Sequence, residues 1–196
     1  MIACVDERAD ARQAEEISDA LLAAPVLAVA FAGPHSAAAI AAVRRRHGTN
    51  LAAGAWGVQD QAGAGSALAA GATFVISPVW NEDVLQLCLL AGVLAIPTVR
   101  ATSDLHRASD LSCPICRIAV QRIATDGVPA KLSDAARPHL LATGWTTDEE
   151  LAIAARSGAV LAEMIVPLQP QADVIRRPSP APDLGRRIAR HVRSDR

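Results

Sequence analysis

Gly63-Ala64-Gly65-Ser66-Ala67-Leu68-Ala69-Ala70-Gly71-Ala72-Thr73-Phe74-Val75-Ile76-Ser77-Pro78 carries an alanine-rich helical stretch straight into a short apolar run, Thr73–Ser77. A second unit follows at once. Asn81 can cap a helix beginning Glu82-Asp83-Val84, Gly92 ends it, and the apolar run Leu94–Pro97 comes next. Working outward, the same alternation recurs at Ile2–Val5, Val26–Phe31, Leu51–Ala55, Ile115–Val120, His139–Thr143 and Ala159–Met164. Thr147-Asp148-Glu149-Glu150 is a capping box that opens another helix, and Gly158 closes it. Strands alternating with helices require a parallel sheet with crossover helices. Eight such units within 196 residues predict a compact (β/α)8 TIM-type barrel, an α/β single domain. A doubly wound open sheet is the other arrangement with this alternation, but no GxGxxG follows any of the runs.

The barrel is expected over residues 1–166. Residues 167–182 carry five prolines without periodicity and read as an extended segment. Residues 183–196 read as a short basic helix and tail, with Leu184, Ile188 and Val192 on one apolar face. That helix is either the last helix of the barrel, with its arginines in water, or a surface for a partner.

A net charge of -1 argues against nucleic-acid binding. No apolar run is long enough to span a membrane, and the start Met1-Ile2-Ala3-Cys4 lacks the basic and apolar regions of a signal peptide. The four cysteines do not make a disulfide framework. A cytoplasmic protein without metal or cofactor is the expectation.

The two central units resemble the KDPG (2-keto-3-deoxy-6-phosphogluconate) and KHG aldolase family. There a helix ending in AAGA runs into a strand ending in ISP, and AGVPVIPG follows; Ala69-Ala70-Gly71-Ala72, Ile76-Ser77-Pro78 and Ala91–Thr98 are similar. Thiamine-phosphate synthase-like barrels match the general pattern less well. The resemblance extends from Ile2 to Val166 at low identity. It implies an aldolase barrel working through a Schiff base, and a homotrimer. It also implies a strand-six lysine, a strand-two glutamate, an arginine just after it for a carboxylate, and glycine-rich phosphate sites after strands seven and eight.

Those residues are missing here. The lysine position falls on or beside Cys116, the glutamate on Ala28 and the arginine near Ala32. The threonine after strand three falls on Gly57. Thr143-Gly144-Trp145 and Glu163-Met164 stand where the phosphate glycines belong. The chain's one lysine, Lys131, follows strand six and reads as a surface residue. A Schiff base needs an amine, and a phosphate needs open backbone N–H groups without opposing charge. Neither function is expected to carry over.

The replacement candidates sit where such barrels work, after the strands. Trp56, Trp80 and Trp145 are three of only five aromatic residues. With Thr143 they either line a pocket for an apolar ligand or plug the mouth. Arg100 is a candidate for a carboxylate or enolate, or a plain loop arginine. Glu163 is the candidate general base, or one half of a salt bridge. Asp6 and His35 can move protons, although a histidine at a helix start is commonly a solvated cap. Cys113-Pro114-Ile115-Cys116 lacks a second pair for zinc. Cys116, taken as facing inward, is a nucleophile or a buried apolar cysteine.

Two functions fit. One is a repurposed lyase, cyclase or isomerase, as in secondary metabolism, acting on a small, largely apolar, non-phosphorylated substrate without Schiff-base chemistry. The alternative is a non-catalytic binding or scaffold protein.

Overall fold

The computed structural model describes residues 1–5, 9–24, 26–126 and 138–166. Asp6, Lys131, the proline-bearing segment 167–182 and the basic stretch 183–196 therefore lie outside the described residues.

Eight parallel strands alternate with helices. They are β1 (Ile2–Val5), β2 (Ala28–Phe31), β3 (Ala52–Trp56), β4 (Phe74–Ser77), β5 (Leu94–Pro97), β6 (Ile115–Ala119), β7 (His139–Thr143) and β8 (Ala159–Val166). Between them run α1 (Ala11–Leu22), α2 (Ser36–His47), α3 (Gln61–Ala69), α4 (Glu82–Leu90), α5 (Thr102–Asp110), α6 (Val120–Asp126) and α7 (Asp148–Arg156). The strand order is β5-β4-β3-β2-β1-β8-β7-β6. A bridge between Thr98 and Arg117, with the Val99 N–H donating to the Arg117 carbonyl at 2.8 Å, joins the two ends. The chain is thus a (β/α)8 TIM-type barrel.

The helix ends follow local chemistry. Asn81 Oδ1 accepts from the Val84 N–H at 3.2 Å, and Gly92 leaves α4 at φ 66. Thr147 Oγ1 accepts from the Glu150 N–H at 3.2 Å while Glu150 reaches back to the N–H groups of Thr146 and Thr147. Those backbone and hydroxyl donors hold the Glu150 carboxyl below its ordinary value.

Side chains alternate across each strand. Ile2, Cys4, Ala28, Ala30, Phe74, Ile76, Ile96 and Leu141 form the cluster inside the barrel. The other parity, including Ala3, Val5, Val29, Phe31, Ala53 and Val75, packs under the helices. Small residues on β2 and β3 leave room that one large ring fills. A Cβ on Gly54 would come within 2.5 Å of the Phe74 carbonyl and 2.7 Å of its ring carbons. Each fully buried large side chain, such as Phe31 or Leu141, contributes about 1.5–3 kcal/mol by leaving water. Among the described residues no helix is long and apolar enough to cross a membrane.

Several strand ends differ from the sequence reading by one residue, and two differ by two residues. β2 starts at Ala28, not Val26, and the Val26 N–H turns back to the Ala24 carbonyl at 2.7 Å instead of joining the ladder. β8 runs on to Val166, not Met164, because its outer residues still pair with Cys4 and Val5 of β1.

Candidate functional site

The strand-six run contains one charge, Arg117, between Ile115-Cys116 and Ile118-Ala119. Its register with β7 fixes which way each side chain points. Cys116 and Ile118 pack with Leu105, Ala108 and Leu140 beneath the helices. Arg117 therefore takes the opposite face and enters the barrel. There its Nε donates to Glu163 Oε2 at 2.5 Å and its Nη2 to Glu163 Oε1 at 2.9 Å. Nη2 also donates to Thr143 Oγ1 at 3.0 Å, and Nη1 approaches Thr98 Oγ1 at 3.4 Å. The Thr98 hydroxyl in turn donates to the Ser77 carbonyl at 2.6 Å.

This is a bidentate ion pair inside an apolar ring. The Glu163 side chain is 2% exposed and that of Arg117 17%. Burial works against the Arg117 charge, but the Glu163 hydrogen bond and its negative charge outweigh it and hold the guanidinium above its usual pKa. Cys4 lies within the pair's field: burial pushes its thiol up, and the Glu163 charge adds to that.

The expected site residues separate on this geometry. Cys116 was expected inside the barrel; it faces the helices instead, fully buried. Strand side chains alternate, so the one-residue shift from Cys116 to Arg117 exchanges the two faces. Burial, with Cys113 and Asp104 adding to it, pushes the Cys116 thiol up to about 12, which disfavours the thiolate a nucleophile needs. Glu163 was expected at a strand end; it lies within β8, level with Ile2. Its salt-bridge partner is Arg117, not Arg100. Arg100 is exposed on the loop after β5, with its Nη2 3.5 Å from the Pro78 carbonyl. His35 is exposed at the start of α2 and makes no capping bond.

The tryptophans divide as well. Trp56 packs against the interior cluster, and its indole N–H donates to the Val5 carbonyl at 3.1 Å. Trp145 packs against the helix-side cluster of β6–β8, with its N–H on the Glu163 carbonyl at 2.7 Å. The first of these carbonyls ends β1 and the second lies within β8. Trp80 sits under the helices instead, with Arg107 of α5 4.8 Å above its ring and Arg107 also paired to Glu82. That pairing holds the Glu82 carboxyl below its ordinary value. A cavity of about 320 Å3 lies at the other end of the barrel, between α4 and the α5–β6 turn.

Sequence reading missed Arg117 and Thr98. The signal for Arg117 was present: a lone charge inside an otherwise apolar strand run marks either a solvent-facing edge or a paired interior group.

A model of the KDPG and KHG aldolase family matches residues 1–121, and the chain belongs to that family. A 2-dehydro-3-deoxy-phosphogluconate aldolase of Treponema pallidum is 34% identical over 104 residues, 53% of this chain and 48% of that protein. The chain therefore spans about half the length of that relative. Among solved structures, the barrel superposes on a native KDPG aldolase with a TM-score of 0.73 at 17% identity, covering 98% and 94% of the two chains. A 2-keto-3-deoxy-6-phosphogluconate aldolase from Zymomonas mobilis gives 0.69 at 18% identity, covering 96% and 88%. Orotidine 5'-phosphate decarboxylase from Pyrococcus horikoshii gives 0.66 at 16%, covering 98% and 99%. At these identities the structural likeness speaks for the fold.

Proposed function

We propose that the chain is a lyase-type enzyme that uses Arg117 and Glu163, without a Schiff base, on a small, non-phosphorylated oxo acid with a largely apolar body. The observation that carries this is the buried Arg117–Glu163 pair at the barrel centre. An ion pair in such a place is costly to desolvate, and apolar residues of similar size would serve stability as well or better. Its retention beside an otherwise apolar interior favours use. A guanidinium stays protonated and has no free electron pair to attack a carbonyl, so it cannot replace a lysine as nucleophile. It can hold the carboxylate or developing enolate of a substrate through its N–H groups. Glu163, whose two oxygens both accept from Arg117, is then the proton acceptor once a substrate anion takes over part of the guanidinium. The interior cluster around them, with Ile2, Ile76 and Ile96, suits an apolar substrate body. Trp145, which the resemblance puts in place of a phosphate glycine after β7, supports a non-phosphorylated one.

The test is exchange of the methyl protons of pyruvate and related 2-oxo acids into deuterium oxide, followed by NMR. Exchange by the native chain, abolished in Glu163→Gln without loss of folding, is the expected outcome; borohydride with pyruvate leaves no adduct.

The second reading is a non-catalytic barrel in which the ion pair is an internal strut. The grip of Trp56 and Trp145 on the carbonyls of Val5 and Glu163 favours it, because indoles so placed narrow the mouth. Absence of exchange with every 2-oxo acid offered would select this reading.

A further inference from the structure

The family motif AGVPVIPG ends in glycine where this chain has Thr98, so a hydroxyl is added just after β5. Strand alternation turns it inward. Leu94 and Ile96 pack with the interior cluster, and Thr98 is the next residue on that face. Its partner across the seam is Arg117.

The Arg117 guanidinium is unevenly used. Its Nε and Nη2 are held by Glu163 and Thr143, both buried. Nη1 has two N–H groups, and among the described residues it meets only the Thr98 oxygen, at a long 3.4 Å. Thr98 is half-buried, and 17% of the Arg117 side chain reaches solvent. An anion that enters the barrel therefore finds a free N–H at Nη1, and none at Nε.

The Thr98 hydroxyl can turn to meet such an anion. It donates to the Ser77 carbonyl at 2.6 Å, but that carbonyl also accepts the Thr98 N–H at 3.0 Å. Rotating the hydroxyl away thus strands no buried acceptor. Ser77 is itself fixed, because its own hydroxyl donates to the Val58 carbonyl at 2.7 Å. Arg100, two residues beyond Thr98, is exposed and adds positive charge nearby. The closest carboxylate in sequence, Asp104, is taken up by the N–H groups of Arg100 and Ala101.

We propose that Arg117 Nη1 and the Thr98 hydroxyl together bind the carboxylate of the substrate. This rests on the lyase-type reading of Arg117 and assigns Thr98 as the second donor. The carboxylate takes the edge of the guanidinium that Glu163 does not hold, so Glu163 keeps both its bonds while substrate binds. The subsite suits a singly charged, planar group. A phosphate dianion would bring a second negative charge toward Glu163.

Binding and turnover are read separately. Titration of pyruvate into the full-length chain, followed by saturation-transfer NMR, gives Kd. Exchange of the methyl protons into deuterium oxide gives KM and kcat. Thr98→Val should weaken pyruvate binding about tenfold, and Thr98→Ser should bring it back to within about twofold of native, as expected for one hydrogen bond to a charged group. In exchange, Thr98→Val should raise KM by the same factor and leave kcat, since Glu163 is untouched. Urea unfolding checks that each variant is folded; Thr98→Ala replaces Thr98→Val if the valine is not tolerated. The proposal is overturned if the native chain binds no pyruvate, or if removing the hydroxyl leaves Kd as it was. Binding that depends on Thr98 without any exchange would sink the lyase-type reading and keep the subsite. Exchange with a Kd indifferent to Thr98 would do the reverse.

Discussion

The two sides of the barrel interior are built on different chemistry. On β1 to β4 the inward positions are Ile2, Cys4, Ala28, Ala30, Phe74 and Ile76, apolar and interlocked by size. From Thr98 after β5 to β8 they include Thr98, Arg117, Thr143 and Glu163, tied by hydrogen bonds. Among the described residues the first side is insulation and the second holds the charge. The family match ends at residue 121, so the insulating side and β6 lie within it, whereas Thr143 and Glu163 lie beyond it.

The largest expected effect breaks the polar side. Arg117→Met leaves Glu163 buried and unpaired, and should cost about 3–5 kcal/mol in urea unfolding. The double variant Arg117→Met with Glu163→Leu should recover most or all of that loss, which separates the cost of an orphaned charge from the worth of the pair. On the apolar side, Gly54→Ala forces a Cβ into the Phe74 carbonyl and ring, and should cost about 1–3 kcal/mol by overpacking. If Gly54→Ala proves the more damaging of the two, the insulating side carries more of the stability than the ion pair. Thr147→Ala removes a cap far from both sides and should cost about 1 kcal/mol. The smallest effect is on pH dependence. Asp19, Glu82 and Glu150 have lowered carboxyl pKa values, caused first by Arg46, Arg107 and the Thr146 N–H respectively. Their contribution is fully present above the ordinary carboxylate range near about pH 4 and is lost as pH falls through the lowered values. Raised thiols act at the other end. The help given by buried Cys116 is present below the ordinary thiol range and is lost as pH rises toward about 12. Thermal unfolding from pH 2 to 11 should therefore show a slope at both margins and a plateau between.

The sequence made the scaffold legible and the site only half so. Alternation of apolar runs with capped helices located every strand, because burial and capping are local and periodic. Asn81 and the Thr147 box began helices and Gly92 ended one, as their chemistry requires. Glu163 was also found, since a carboxylate late in an apolar strand is conspicuous. Its partner was not. Alignment at low identity placed the strand-six position to within one residue, and in a strand one residue is the difference between inside and outside. The choice between Cys116 and Arg117 depended on pairing with β7 and with Thr98 after β5, which no local pattern records. Trp80 and Trp145 fell after strands as expected, while Trp56 is the last residue of β3. Whether an indole turns into the barrel, like Trp56, or under the helices, like Trp80, was decided by neighbours distant in sequence.

Arg117 has two unrelated duties in one residue. Its carbonyl accepts the Val99 N–H that closes the ring of strands, while its side chain crosses the interior to Glu163. The joint between β5 and β6 and the charged centre therefore cannot loosen independently. Breathing at the seam tugs the guanidinium, and anything that seizes the guanidinium tightens the seam. The Val99 amide, on the far side of the wall, is thus a built-in listening post: its hydrogen exchange should slow whenever an anion settles on Arg117.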